Sequence, residues 1–321
     1  MSAASRQDSP ARKIAYYRPA LRAAHFAPRY WGSWLGLLLL RLLALLPLPL
    51  TRAIGAVLGL LMMAANAKRR RIARVNLRLC FPEKPERERA RLLRQSYIAY
   101  GESFTDLGHL VWNSRARLQR MVRFRGIEHY REQIQRGKNI ILLVPHVAGM
   151  NFGGTVLSGE HPTFSMYKAQ RNDVVNWFLN RGRMRFGAEL LAREQGLRPV
   201  VHALKQGLIF YYLPDEDFGP KHSVFAPFFG VPTATLPTLG RLAKMTDAVV
   251  IPCFGRQLRF GRGSEVVLYP PLENFPTGDE IADAAHMNRA MEAGIRTMPE
   301  QYLWTFKLFK TRPDDGPSPY R

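Results

Sequence analysis

Acidic residues, cysteine and nucleotide-binding signatures are what this 321-residue chain has least of. Asp and Glu total 25 against 47 Lys and Arg, a formal charge of +22, so the partners it favours are anionic: membrane phosphates, an acidic carrier protein or nucleic acid. Nucleic acid is disfavoured in turn, because the chain carries no RNP-type aromatic strand motif, no zinc-finger spacing and no basic helix joined to a heptad zipper. Two cysteines, Cys80 and Cys253, are too few and too distant for a disulfide framework or a thiolate metal site, and they read as buried, inert thiols of a reducing compartment. Neither G-x-G-x-x-G after a strand nor a P-loop occurs, so no nucleotide, redox cofactor or metal is expected. Repeats and low-complexity segments are missing too; only Met1 to about Lys13 and Pro313 to Arg321 look like disordered ends.

A hydrophobic content of 46% is enough for a substantial core. Its most apolar part is N-terminal: Trp31 to Leu50 reads WGSWLGLLLLRLLALLPLPL, and a second run follows from Ala53 to Ala67. The first run could cover about 30 Å as a helix, yet Arg41 sits inside it and Pro47 and Pro49 break its end. Tyr30, Trp31 and Trp34 suit the headgroup level, and Lys68-Arg69-Arg70-Arg71 follows directly, a basic flank of the cytoplasmic type. No signal-peptide cleavage pattern precedes it, so the segment is expected to be retained. An apolar helical hairpin packed on the rest of the protein is the alternative, and in either case the N-terminus meets lipid. The organisation expected is a tail and membrane anchor over residues 1–67 and a second domain over 68–321.

Beyond the anchor, residues 84–120 read as an amphipathic helix with Leu92, Leu93, Tyr97, Tyr100 and Phe104 on its apolar face. Strands are expected at Asn139 to Val144, Thr163 to Tyr167, Leu208 to Leu213, Val249 to Phe254 and Glu265 to Tyr269, with helices at Val174 to Phe186, Pro199 to Gln206 and Leu236 to Thr246 between them. That alternation predicts an α/β fold, a mixed central sheet flanked by helices, with an N-terminal apolar membrane-associated helix.

The strand IILLV ends at Pro145-His146 and gives way to Val-Ala-Gly-Met-Asn-Phe-Gly-Gly, which places His146 at a strand-to-helix turn, where α/β folds bind ligands. A neutral imidazole there can take the proton of an attacking alcohol; a capped loop histidine without chemistry has the same local pattern. Several segments resolve the choice: RRRIARVNLRLCFPE (residues 69–83), GKNIILLVPH (137–146), NRGRMRFGAELL (180–191), LPDEDFGPKHSVFAPFFGVPTATLP (213–237) and PEQYLWTFKLFKTRP (299–313). Over nearly its whole length the chain resembles the late (lauroyl/myristoyl) acyltransferases of lipid A biosynthesis, within the lysophospholipid acyltransferase superfamily. The resemblance implies that His146 is the general base of acyl transfer from acyl carrier protein, or acyl-CoA, to a hydroxyl of a lipid A precursor, at the cytoplasmic face of the bacterial inner membrane. The second domain is then the acyltransferase domain, and the partners are acyl carrier protein, the membrane and an anionic lipid acceptor. A lysophospholipid or another hydroxylated lipid is the alternative acceptor.

In that family an acidic residue follows the histidine after four positions and orients it; here that position is Asn151. Three readings follow: Asn151 orients His146 through its side-chain oxygen, Asp215 or Asp217 takes over, or the chain is a silent lipid-binding protein. Glu160 is a weaker substitute. Asp215-Glu216-Asp217 follows a strand and borders the active site in the resembling family; a solvated acidic turn and a site for a hard cation are the competing readings. Arg181, Arg183 and Arg185, with Lys168 and Arg171 before them, can bind phosphates of the lipid or of the carrier arm, with Arg183 the first choice for the oxyanion; a solvated helix face fits the same pattern. Val224 to Gly230, Phe228 included, and Thr233 to Thr235 can wall an acyl groove or be plain core.

Overall fold

The computed structural model describes residues 14–313 and 316–320. In chain order it begins with α1 (Trp31–Leu43), α2 (Leu48–Ala65), α3 (Ala67–Cys80), α4 (Glu86–Trp112) and α5 (Arg115–Met121). Then come β1 (Val122–Arg125), α6 (Ile127–Gln135), β2 (Asn139–Leu143), α7 (Met150–Leu157), β3 (Thr163–Tyr167), α8 (Asp173–Met184), β4 (Glu189–Ala192), α9 (Arg198–Lys205) and β5 (Ile209–Tyr212). The chain closes with β6 (Val224–Phe228), β7 (Val231–Thr235), α10 (Thr238–Thr246), β8 (Ala248–Gln257), β9 (Ser264–Leu268) and α11 (Glu280–Thr297).

Seven strands form one sheet in the order β1-β9-β8-β2-β5-β3-β4, parallel at every pairing except β8 with β9; β6 and β7 make a separate antiparallel hairpin. This is the mixed sheet flanked by helices that the alternation of segments predicts. The central strands are buried on both faces, which is why they read as unbroken apolar runs. In β2, Ile141 and Leu143 enter one core with Leu77, Val200, Met291 and Trp304, whereas Ile140 and Leu142 enter the other with Tyr130, Phe152 and Leu157. Cys80 and Cys253 are free and buried. The helix expected over 84–120 divides at Asn113, because Ser114 accepts a hydrogen bond from Arg117 N at 3.2 Å and starts α5.

The expected disorder at Met1 to Lys13 lies outside the described residues. At the other end the expectation fails for residues 316–320: Tyr320 is buried, its hydroxyl hydrogen-bonding Asn76 and accepting from Phe309 N at 3.0 Å.

The N-terminal apolar segment is not a hairpin. Leu40 meets Gly108, Thr51 meets Thr105, Gly55 meets Gly101 and Gly59 meets Tyr97, so contacts climb α1 and α2 as they descend α4. α2 therefore runs antiparallel along α4, whereas α1 meets α4 at Gly108, which faces both Leu40 and Ala44, and Pro47 and Pro49 supply the break between the two helices. The approach is backbone to backbone: a Cβ on Gly101 would stand 2.1 Å from Gly55 O, which no side chain tolerates. On the outer side Leu35, Leu38, Leu39, Leu42, Leu45, Val57 and Leu61 are all exposed, an unbroken apolar strip. α2 is long and apolar enough to cross a membrane by length and composition alone.

One ion pair pins this segment to the sheet. Arg52 on α2 meets Asp106 on α4 at 2.9 Å with both side chains 3% exposed, and the same guanidinium donates to Gly263 O at 2.7 Å, Leu258 O at 3.1 Å and Ser264 Oγ at 3.1 Å. Gln257 Nε2 adds a bond to Asp106 at 3.1 Å. Removing one member strands the other charge without water. Arg52→Ala should therefore cost about 3–5 kcal/mol, read from unfolding midpoints in detergent; a loss below about 1 kcal/mol would reduce the pair to the level of an exposed one.

Candidate active site

Parallel pairing of β2 with β5 sets Leu143 opposite Tyr212, and the third residue beyond each is the functional side chain, His146 in one case and Asp215 in the other. The two arrive at the same level beyond the carboxyl edge of the sheet, where α/β proteins bind ligands. Asp215 holds His146 twice: its Oδ1 is 2.6 Å from the imidazole Nδ1, and its Oδ2 accepts from His146 backbone N at 2.7 Å. With Nδ1 as the donor to this carboxylate, the tautomer is assigned and the lone pair of Nε2 faces the cavity. The C-terminal segment braces the turn from behind: Leu303 N donates to His146 O at 2.9 Å, Val147 bridges to Tyr302, and the Phe306 ring stands edge-on to the imidazole at 5.0 Å. Gly149, just before α7, admits the close approach of β8; a Cβ there would lie 2.5 Å from the Gly255 carbonyl carbon.

Burial alone would lower the pKa of His146, but the Asp215 carboxylate outweighs it and raises the imidazole above its ordinary 6.5. Asp215 mirrors this: burial opposes its ionisation, the His146 contacts prevail, and its pKa ends below normal. The pair is the orienting arrangement of a general base, with a fixed imidazole and an anion positioned to balance the imidazolium.

Asn151 does not orient His146. It sits in the first turn of α7, and its Oδ1 accepts from Arg183 Nε on α8 at 3.4 Å. Asp215, the second of the three readings from the sequence, holds the place given first to Asn151. Among the described residues Arg183 has no carboxylate partner, so it brings an uncompensated cation to the cavity wall. Burial lowers its pKa, although guanidinium stays charged in proteins.

The three consecutive carboxylates diverge rather than converge. Glu216 pairs with Arg193 through two bonds of 3.0 and 3.1 Å. Asp217, expected to touch substrate, is 1% exposed and accepts from Thr311 N at 2.9 Å and Thr311 Oγ1 at 2.8 Å, so it anchors the C-terminal segment instead. Glu160 pairs with Arg131 on the surface. Arg185, expected to bind phosphate, is spent on the end of α4, where it donates to Leu110 O at 2.6 Å and Asn113 O at 2.8 Å. Arg181 is exposed and lies over the Trp177 ring at 5.2 Å. Lys168 reaches the cavity mouth.

That cavity measures about 890 Å³ and is walled by Leu37 and Leu40 of α1, Phe104 and Leu107 of α4, Phe164 of β3 and Phe178 of α8, with His146, Asn151, Arg183, Arg193 and Glu216 at its polar part. Its lining is mostly apolar with His146 among the polar groups, a composition suited to a lipid chain. Phe228, expected to wall the groove, does not line this cavity; with Thr233, Ala234 and Thr235 it borders only a recess of about 20 Å³ beside the acidic loop. Phe228 packs on Phe229 and Tyr302 at ring distances of 4.9 and 6.3 Å, because the β6–β7 hairpin folds against α11 and turns its aromatics into the core.

The family model for bacterial lipid A biosynthesis acyltransferases matches residues 20–311. The chain belongs to that family. It is similar to a lipid A biosynthesis acyltransferase of Haemophilus influenzae, with 37% identity over 91% of this chain and 93% of the relative. Similarity extends to two Escherichia coli K12 proteins at 33% identity each: a lipid A biosynthesis lauroyltransferase, over 94% of this chain and 99% of the relative, and a lipid A biosynthesis myristoyltransferase, over 95% of both. This lipid A acyltransferase is thus an enzyme of acyl transfer, and its polar cluster contains two residues the sequence did not single out, Arg193 and Glu216. Glu216 was visible as one of three acids, but its pairing rests on a turn after β4 that carries no pattern of its own.

The geometry separates two carboxylate positions by their effect on the base. Asp215→Asn should lower the His146 titration measured by NMR of labelled histidine, whereas Asn151→Asp, whose new charge faces Arg183, should move it by no more than about 0.3 units. A comparable shift in both variants would reinstate Asn151 as a partner of His146.

Proposed function

We propose that this lipid A acyltransferase moves a fatty acyl chain from the thioester of acyl carrier protein to a hydroxyl of a lipid A precursor, with His146 as the general base. The single observation that carries this reading is the imidazole of His146, doubly fastened by Asp215, in the lining of a largely apolar cavity. The acceptor oxygen attacks the thioester carbonyl while His146 Nε2 takes its proton. Arg183, without a carboxylate partner among the described residues, supports the oxyanion of the tetrahedral intermediate. Collapse breaks the carbon–sulfur bond, and the departing thiolate takes the proton back from the imidazolium. Asp215 holds the required tautomer throughout and balances the transient charge. The charge of +22 suits both an acidic carrier and anionic headgroups. The names of the relatives above carry the choice of acceptor over a lysophospholipid.

The same proposal places the enzyme on the cytoplasmic face of the inner membrane, with the outer faces of α1 and α2 lying in the bilayer surface. Packing favours this over a span. α2 shares one face with α4, and along that contact lie Glu102 of α4 and the ion pair between Arg52 of α2 and Asp106 of α4, while Gly261, between Arg259 and Arg262, abuts Pro49 at the α1–α2 junction. A spanning α2 would draw those charges towards hydrocarbon at a few kcal/mol each. In the surface orientation the leucine strip enters lipid while the arginines stay at headgroups, and Phe260, 85% exposed beside the junction, enters with it.

Transfer of labelled acyl chains from acyl carrier protein to a tetra-acylated lipid A precursor tests the chemistry. His146→Ala should abolish it, Asp215→Asn should lower it about 10⁴-fold and Arg183→Gln about 10²–10³-fold. Because the base must be neutral, the rate should rise with pH through a limb above 6.5, the direction in which Asp215 moves the imidazole. Transfer that persists in His146→Ala would end the proposal.

Nitroxide labels at positions 38, 50, 57 and 61 in vesicles should all report shallow depths, within about 10 Å of the headgroups. A graded series through the midplane would show that α2 spans.

A further inference from the structure

His146 lies between two carboxylates. Asp215 takes Nδ1, and Glu216 Oε1 stands 3.8 Å from Nε2, the nitrogen that must be free to act as base. That distance is too long for a hydrogen bond and short enough for strong coupling. A carboxylate that closed the gap would stabilise a proton on Nε2, and an imidazole protonated on both nitrogens accepts nothing from a hydroxyl. Glu216 is kept back by Arg193, which reaches from the turn after β4 and bonds both carboxylate oxygens, at 3.0 and 3.1 Å. The guanidinium is itself seated over the Phe218 ring at 5.3 Å, on the residue two positions beyond Glu216.

We propose that Arg193 is a positioning residue for the base: its two-point grip holds Glu216 off Nε2 and offsets its charge, so that the nitrogen stays open to the acceptor's proton. The inference rests on His146 being the base, as argued above. Once the proton has moved, the same carboxylate at 3.8 Å faces the new imidazolium and stabilises it, which a neutral residue at 216 would not do. The clamp therefore separates two demands on one site, a neutral imidazole before attack and a stabilised cation after it. Its charges are consistent with that division. Burial opposes ionisation of Glu216, but Arg193 outweighs it and lowers the pKa, so the carboxylate is available as an anion. The charges that act on His146 are Asp215 and Glu216 from the loop after β5 and Arg193 from the turn after β4. Tyr302, on the C-terminal segment beside Asp215, has its phenol pushed far up by burial and stays neutral, and Tyr212 of β5 is likewise raised by burial. Across the cavity, Asn151 of α7 is uncharged and Arg183 of α8 is engaged with it.

The experiment is an NMR titration of His146 in the full-length protein in detergent, its resonance assigned by loss in His146→Ala, together with the pH dependence of kcat/KM. Arg193→Met should raise the His146 titration by about 1 unit and move the acid limb of the rate profile by the same amount. Arg193→Met combined with Glu216→Gln should bring both back near the native values. Glu216→Gln alone, with Arg193 intact, should move them below native. The inference is overturned if Arg193→Met lowers the rate equally at every pH with the titration unmoved, or if the double variant keeps the shift. Should Arg193→Met not fold, Glu216→Gln decides, an unmoved titration counting against the clamp. The titration reads His146 without turnover, so a clamp that fails while His146→Ala abolishes transfer is told apart from a failure of the general-base reading.

Discussion

The pairing of β2 with β5 is the constraint on which the site depends. Two parallel strands, each with its functional side chain on the third residue beyond its end, bring an imidazole and a carboxylate from positions 69 residues apart to a contact of 2.6 Å. Neither strand end alone would hold that geometry. The second bond, from His146 backbone N to Asp215, makes the carboxylate part of the turn's own hydrogen bonding, so that orienting the ring and closing the loop are the same event. The C-terminal segment then seals the turn through Leu303 and Val147, and Asp217 secures that segment in return. A loop of adjacent acids in a basic protein is thereby divided into one residue for the base, one for Arg193 and one for the backbone.

That division follows from dielectric reasoning. A carboxylate removed from water needs a partner of its own, since each uncompensated charge costs several kcal/mol. Asp215 has the imidazole, Glu216 has the guanidinium of Arg193 and Asp217 has an amide and a hydroxyl of Thr311. Arg183 is the exception. Its neighbour is an amide rather than an acid, so the cation keeps its charge for whatever enters the cavity. A carboxylate at 151 would compensate that cation in the resting enzyme. The departure from the resembling family's pattern at this position bears on anion binding and not on the tautomer of His146.

Much of the fold was legible because buried strands announce themselves. IILLV and the run around Ile251 are apolar on both faces, as a strand covered by helices on each side must be. The edge strands β1 and β4 were not legible: Val-Arg-Phe-Arg and Glu-Leu-Leu-Ala span four residues each, too few to show a period. Of the site, His146 and Asp215 were both named from sequence, but choosing Asp215 over Asn151 required the order of strands in the sheet. The resembling family's pattern favoured the nearer residue, while the helical turn of α7 points that residue to α8. Arg185 and Phe228 show the opposite error, since a cation in a basic run and a ring in an aromatic run look available until the structure gives each a partner. The break at Pro47 and Pro49 was legible, yet the direction of the chain beyond it was not, because proline ends a helix without saying where the next one goes.

The way α1 is used ties the membrane face to the chemistry. Leu37 and Leu40 are buried and line the cavity, whereas Leu35, Leu38, Leu39 and Leu42 on the opposite side are exposed. One helix, 13 residues long, is therefore a wall with the chamber on one side and an exposed apolar face on the other. Carrying an acyl chain through water costs about 0.8 kcal/mol for every methylene exposed, which over a long chain exceeds anything the polar cluster could return. A chain that passes around α1 exchanges one apolar surface for another and avoids that cost. The glycines of the shared wall help, since Gly36 lines the cavity and has no atom within 4 Å of where a Cβ would stand. The buried Arg52–Asp106 pair fastens α2 to α4, and α1 ahead of it gives Leu37 and Leu40 to the cavity that His146 also lines.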